Sequence, residues 1–316
     1  MYKKKKIAVI VPAFNEEEQI KIVAKSMPSF VDKIIMVDDG STDKTASSIA
    51  ALCKKNKKIV SIRHKINQGV GAAIASGYKW CRDNNIDVIA VMSGDGQATP
   101  AELASIIEPV VKGEVDYAKA NRLLNIDSFQ KIPRNRFLGN AALSFFTKIA
   151  SGYWHISDSQ AGYTAINKKM LKLIDWDSMY KRYGQPNDLL VRLNVFNAKV
   201  KDVPSQPVYR PDDVSGIKIR TVMFTIPFML VKMFFWRLME KYIKRDFHPL
   251  VLFYFFGFAT GFMGLLLFLR LLYFFLFLND IPKINFLAWM LTVLMSTQFI
   301  LFAMWFDMEY NKDLRG

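Results

Sequence analysis

Cysteine and histidine are scarce in this sequence. Cys53 and Cys81 form no CxxC pair, and His64, His155 and His248 stand far apart. This spacing leaves no metal cluster and no histidine-based nucleophile to expect, and it suits a reducing compartment. Zinc-finger spacing and RNA-recognition signatures are missing as well. Nucleic acid is therefore not the expected partner of a chain with 43 Lys and Arg against 28 Asp and Glu, a net charge of +15. An anionic membrane surface is. No signal peptide is recognisable. Lys3 to Lys6 imitate a basic leader, but the apolar run Ile7 to Phe14 is short, contains Pro12 and ends in Asn15-Glu16-Glu17-Glu18. The N-terminal domain is expected to stay in the cytoplasm.

Hydrophobic residues make up 51% of the chain and are concentrated in its last third. Before that, short apolar runs of strand type at residues 7–11, 33–37, 59–63 and 88–92 alternate with helical spacing at 17–26, 44–53, 70–82 and 100–112. A further strand is expected at 115–119, then a polar, basic loop at 121–136. A helix at 137–149, a strand at 161–166, a helix at 188–196 and a strand-rich stretch at 200–209 follow. The order predicts an α/β domain over residues 1–216, with a mostly parallel sheet covered by helices on both faces. Ligands of such sheets bind at the carboxyl ends of the strands, where the polar clusters fall here.

Residues 217–248 differ in kind. The segment is apolar but carries Lys232, Arg237, Lys241 and Lys244 at intervals of three to five. It reads as amphipathic juxtamembrane helices with a basic stripe, and Pro227 is expected to break or kink them. Residues 249–316 hold two uncharged stretches, 250–269 and 284–306, each long enough to cross a bilayer, joined by a short turn. They predict a transmembrane hairpin with a short tail. Lys241, Lys244, Arg245, Lys312 and Arg315 flank it, against Lys283 alone in the turn. The positive-inside rule then predicts a multi-pass protein of the cytoplasmic (inner) membrane, its catalytic domain facing the cytoplasm. Arg270 either snorkels to the far headgroups or marks a lipid or subunit contact. Homo-oligomerisation is left open.

Four strand-end clusters occur in order: Val11-Pro12-Ala13-Phe14-Asn15-Glu16, Val37-Asp38-Asp39-Gly40-Ser41-Thr42-Asp43, Asn67-Gln68-Gly69 and Gly94-Asp95-Gly96-Gln97. Together they resemble the family 2 glycosyltransferases of the GT-A nucleotide-sugar-binding fold. Within these they resemble the branch of dolichyl-phosphate mannose synthase and polyprenyl-phosphate glycosyltransferases, over about residues 5–215. The resemblance implies donor binding by Pro12, Ala13, Asn15, Glu16, Asp38, Asp39, Asn67, Gly94 and Asp95. Of the paired acids, Asp39 is expected to face ligand, with Ser41–Asp43 capping the next helix. The family's metal motif keeps its second carboxylate as Asp95 and has Ser93 in the first place. Mg2+ or Mn2+ would be held by Asp95 and Gln97, since hard cations take oxygen ligands.

The resemblance further places arginines at phosphates, which suit the paired donors of a guanidinium. It assigns Arg122, Arg136, Asp95 and Asp188 to catalysis, and Arg134, Arg136, Asn140 and Gln160 to the acceptor. Asp188 is expected to bind sugar hydroxyls or to cap its helix. The implied reaction is inverting sugar transfer from a nucleotide-diphosphate donor to a membrane polyprenyl phosphate. The alternatives are transfer to a hydroxyl of a lipid-linked or envelope glycan, and a non-catalytic membrane scaffold that retains the nucleotide-binding fold.

Overall fold

The computed structural model describes residues 1–94, 98–123, 134–206 and 219–316, with the backbone alone at 134–138, 140 and 219–224. Two compact units emerge: Met1–Phe234 with Asp313–Gly316, and Phe235–Lys312.

The first unit begins with β1 (Ile7–Ala13), α1 (Gln19–Ser26), β2 (Lys33–Asp38), α2 (Thr45–Lys55), β3 (Ile59–Arg63), α3 (Val70–Asp83) and β4 (Val88–Val91). It continues with α4 (Leu103–Val111), β5 (Tyr117–Asn121), α5 (Arg134–Ser151), β6 (Thr164–Asn167), α6 (Lys168–Leu173), α7 (Gln185–Val195) and β7 (Val200–Pro204). The seven strands form one sheet in the order β3-β2-β1-β4-β6-β5-β7. Strand alternation explains why both faces are covered. Ile7, Val9 and Val11 face a layer built with Ile20, Val23, Ile49 and Leu103. Ala8 and Ile10 face the opposite layer, with Ile74, Tyr78, Met170 and Leu190. The sheet is mostly parallel, as expected, but β6 runs antiparallel to both β4 and β5. The stretch expected to be strand-rich over 200–209 is strand only to Pro204, and 207–210 lie outside the described residues.

The parallel register aligns Ala13 with Asp38 and Asp38 with Arg63. The carboxyl ends of β1, β2 and β3 therefore lie side by side, and β4 ends next to β1. This is the edge on which the first three polar clusters stand.

Helix α8 (Ile219–Met239) runs through Pro227 without ending there. A proline inside a helix costs roughly 3 kcal/mol. Burial of Ile226, Met229, Leu230, Met233 and Phe234 offsets it. A π-helical segment, Glu240–Arg245, follows. The single basic stripe is not observed. Lys232 and Lys244 are exposed, whereas Arg237 and Lys241 are buried. At 3.6 residues per turn Arg237 and Lys241 lie about 40° apart, with Lys232 about 140° from Arg237.

The second unit holds α9 (Leu250–Tyr273), which continues as a π-helix to Leu278, and α10 (Lys283–Tyr310). Both helices are long and apolar enough to cross a membrane. Gly257, Gly261 and Gly264 bring them together. A Cβ at these positions would come within 2.8 Å of Ile300, 2.8 Å of Ser296 and 3.1 Å of Thr292. Ser296 Oγ donates to the Gly257 carbonyl at 2.8 Å. Phe255, Phe262, Leu265 and Leu276 point outward, as a lipid-facing surface requires.

Arg237 closes the unit's charged end. It pairs bidentately with Asp307, Nη1–Oδ1 at 2.8 Å and Nη2–Oδ2 at 3.0 Å, and both side chains are fully buried. Tyr242 Oη donates to Asp307 at 2.6 Å, and Lys241 Nζ donates to Asn311 at 2.7 Å between the Tyr242 and Tyr310 rings. Burial pushes the Lys241 ammonium down to about 7, and the Arg237 charge adds to the shift against the opposing pull of Asp307. A lowered lysine pKa means that the unfolded chain binds more protons between about 7 and 10.5. The expected result is that stability rises with pH across that window. Thermal midpoints at pH 7 and pH 9 check it, and Lys241→Met should flatten the difference.

Candidate active site

The turn after β1 is tied to the turn after β2. Asn15, at φ 58°, donates its N–H to Ser41 Oγ at 3.0 Å, and its side-chain oxygen accepts from the Thr42 N–H at 2.9 Å. The Glu16 N–H donates to Thr45 Oγ1 at 2.8 Å. Ala13 O accepts from the Asp39 N–H, and Pro12 O from the Gly94 N–H. A Cβ on Gly94 would stand 2.7 Å from Pro12 O, so glycine permits this contact between the ends of β1 and β4. Pro12, Ala13, Asn15, Glu16, Asp38, Asp39 and Gly94 are thus brought to one edge of the sheet.

The paired acids differ in how their oxygens are used. Asp39 is buried, and both of its oxygens are engaged. Oδ1 meets His64 Nδ1 at 2.7 Å and accepts from the Gln68 N–H at 3.0 Å, while Oδ2 accepts from the Gly69 N–H at 2.7 Å. His64 Nε2 in turn reaches Ser76 Oγ at 2.9 Å. Asp39 is therefore the internal anion at the start of α3, the place where the sequence suggested a ligand. Asp38 is buried as deeply, but only one of its oxygens is hydrogen-bonded. Its Oδ1 accepts from the Ser41 N–H, and its Oδ2 has no hydrogen-bond partner among the described residues. Arg63 Nε stands 3.2 Å from that oxygen as an ion pair. Beside Asp38 a groove of about 490 Å³ runs between α2 and β3, lined also by Asp43, Lys44, Ser47, Ser61 and Arg63.

Asn67 is exposed in the turn before α3. Gly40, at φ 74°, packs on that turn: a Cβ there would meet the Asn67 nitrogen at 2.6 Å.

Asp95 and Gln97 lie outside the described residues. Asp39 is committed to His64 and α3, and Asp38 to Ser41 and Arg63. Ser93, partly buried at the end of β4, offers only a neutral hydroxyl. Among the described residues no group of three or more His, Cys, Asp or Glu could hold a metal ion.

Arg122 follows β5 and makes a bidentate pair with Asp158, at 2.8 and 3.1 Å. Burial raises the Asp158 carboxyl, but the Arg122 hydrogen bond and the nearby Lys119 charge outweigh it and hold the group below its ordinary value. Arg134 and Arg136 begin α5, and their side chains, like that of Asn140, lie outside the described residues. Gln160 donates to Ser159 Oγ at 2.7 Å and to Asn187 Oδ1 at 2.9 Å.

Asp188 caps no helix; Gly184 holds the N-cap position of α7. The carboxylate is 1% exposed. Oδ2 accepts from the Tyr180 N–H at 2.7 Å, and Oδ1 accepts from Arg192 Nε at 2.9 Å. Burial pushes its pKa up, against the opposing pull of Arg192 and the Tyr180 N–H. A raised acid is often a proton acceptor in catalysis, but one with both oxygens bonded and no exposed surface lacks a path to substrate.

His64 was not singled out from sequence, nor was the Tyr180–Arg182 segment. The one available signal was the Gly69-Val70-Gly71 spacing, which marks a close approach without naming what approaches.

Comparison with known proteins adds the following. The family model described as glycosyl transferase family 2 matches residues 8–174. A UDP-N-acetylglucosamine–dolichyl-phosphate N-acetylglucosaminyltransferase of Methanococcus voltae is 32% identical over 218 residues, 65% of this chain and 86% of the relative. A polyprenol monophosphomannose synthase of Mycolicibacterium smegmatis is 28% identical over 225 residues, 69% of this chain and 84% of the relative. Among solved structures, glucosyl-3-phosphoglycerate synthase from Mycobacterium tuberculosis in complex with UDP superposes with a TM-score of 0.54 at 16% identity. That match covers 74% of this chain and 80% of the other, and at this identity it bears on the fold alone.

Proposed function

The chain belongs to glycosyl transferase family 2, and from that premise we propose that it moves a sugar from a nucleotide-diphosphate donor to a membrane polyprenyl phosphate, inverting the anomeric carbon. The relatives named for dolichyl- and polyprenol-phosphate chemistry support the acceptor class. The apolar hairpin supports a lipid substrate. The observation that carries the reading is the state of Asp188. A hydroxyl acceptor needs a base to take its proton, and Asp188, the carboxylate that the resemblance assigns to catalysis beside Asp95, is buried and doubly bonded. A lipid phosphate arrives ionised and needs none.

In this reading Asp38 accepts hydrogen bonds from the base or ribose of the donor, with Asn15 and Asn67 beside it. Asp95 and Gln97 hold a divalent cation, Mg2+ or Mn2+, which when bound neutralises charge on the diphosphate leaving group. Arg134 and Arg136 hold the acceptor phosphate. Its oxygen attacks the anomeric carbon, the bond to the diphosphate breaks, and the nucleoside diphosphate leaves with the electron pair. Arg122, held by Asp158, supports the phosphates from the end of β5. The lysines and arginines that flank the hairpin support a catalytic domain on the cytoplasmic side of the membrane.

Incubation of the full-length protein with a panel of nucleotide sugars and undecaprenyl phosphate tests the reaction. Arg136→Ala should lower kcat/KM for the lipid by about ten- to a hundredfold, the loss of an Arg–phosphate contact of roughly 1.5–3 kcal/mol. Asp188→Asn should leave kcat within a fewfold at saturating donor. A crippled Asp188→Asn beside a healthy Arg136→Ala would overturn the lipid-phosphate acceptor and favour a hydroxyl. No turnover with any nucleotide sugar of the panel, with lipid present, would favour the scaffold.

A further inference from the structure

We propose that Asp188 and Arg192 are positioning residues for the donor: they clamp the Tyr180–Arg182 segment onto the first turn of α3, and through it set the turns that carry Asp38, Asn15 and Asn67. The inference rests on the nucleotide-sugar reading above and assigns a specific task within it.

The clamp can be followed bond by bond. Asp188 and Arg192, one turn apart on α7, pair at 2.9 Å. Asp188 holds the Tyr180 N–H at 2.7 Å. Arg192 spends its other donors on Ser178, Nη1 to Oγ at 2.8 Å and Nη2 to the carbonyl at 2.7 Å. The two side chains thus hold Ser178 and Tyr180, and with Tyr180 the start of the Tyr180–Arg182 segment, whose backbone lies against α3.

That backbone lies against α3 with no room to spare. The Ala72 N–H donates to Lys181 O at 3.1 Å. A Cβ on Gly71 would come within 2.2 Å of Tyr180 O, and one on Gly69 within 2.4 Å of Lys181 O. Both glycines are needed for the segment to seat. Gly69, at φ 103°, also donates its N–H to Asp39. From there the contacts run outward. Asp39 and Asp38 are consecutive, Gly40 packs on Asn67, and Ser41 and Thr42 bond Asn15. A shift of the Tyr180–Arg182 segment leaves α3 without a wall and releases its first turn.

A base, a structural prop and a donor-positioning pair predict different readouts. The experiment uses full-length protein in detergent, with Asp188→Asn, Arg192→Lys and the milder Ser178→Ala, which removes one bond of the clamp and keeps the fold. UDP and GDP, each with Mg2+, are titrated by calorimetry. Donor KM, acceptor KM and kcat are measured in parallel, and thermal midpoints are recorded. Asp188→Asn and Arg192→Lys should weaken the nucleotide Kd and raise donor KM by about five- to twentyfold, with acceptor KM and kcat within about threefold. Ser178→Ala should move the same two constants by about two- to threefold. A kcat loss of about 10²–10⁴-fold in Asp188→Asn at unchanged nucleotide Kd would make Asp188 a base and overturn the proposal. Lower midpoints with unchanged Kd and KM in all three variants would make the clamp a prop for the fold and overturn it too. Wild-type protein that binds neither UDP nor GDP would sink the donor reading beneath it as well.

Discussion

Asp95→Asn should abolish turnover, by about 10³-fold or more, without lowering the thermal midpoint. A cation on the donor diphosphate contributes several kcal/mol of transition-state stabilisation, and each 1.4 kcal/mol is about tenfold in rate. The size of the effect follows from how the acids at the end of β2 are used. Asp39 is bound to His64 and to two N–H groups of the α3 start, and Asp38 is bound to Ser41 and paired with Arg63. Neither can move to replace a lost ligand without breaking those bonds. Ser93 has no charge to offer. Asparagine keeps the size of the side chain and removes the charge. Release of nucleoside diphosphate in the presence of lipid acceptor reads the rate, and Mn2+ titration with nucleotide present reads the site directly. Turnover near that of wild type would end the metal assignment.

The second large effect is expected in the hairpin. Asp307→Asn leaves Arg237 fully buried beside Lys241 with its counter-charge removed. Breaking one side of such a pair costs roughly 3–5 kcal/mol. The expected result is a steep fall in thermal midpoint in detergent. Arg237→Leu should be comparably harmful, because it strands the carboxylate. The double variant Arg237→Leu/Asp307→Leu should be less damaging than either single one, since it removes both desolvated charges together. If the single variants melt with wild type, the buried pair contributes nothing to the fold of this unit.

The legible part of the molecule was its local pattern. Apolar runs of five or six residues marked the strands, and polar clusters marked their carboxyl ends, because a strand covered on both faces leaves its polar side chains to the turns. The direction of β6 was not legible. An apolar run reads the same in both directions, and the sense of β6 is set by the long connection from β5. The choice between Asp38 and Asp39 was hidden for a different reason: it depends on where the β3–α3 turn arrives, 29 residues further on. The basic segment before the hairpin showed its charges but not the partner of Arg237, which lies 70 residues later. For Asp188 the sequence offered a sugar contact or a helix cap. Neither describes a carboxylate used twice, on a loop and on an arginine.

The strand order also bears on how the chain is made. The block β3-β2-β1-β4 is complete once Val91 has been synthesised: β1–β2 and β2–β3 each close over a single helix, and β4 then joins β1. The other half waits for β6 and β7, because β4 finds its second neighbour only when residues 164–167 arrive. A chain leaving the ribosome therefore has β3, β2, β1 and β4 available to pair long before β6 and β7 exist. Through that interval the first turn of α3 has no Tyr180–Arg182 segment to rest on. Hydrogen exchange on stalled nascent chains should show β1 protected while the α3 start still exchanges, and a protected α3 start would contradict this order.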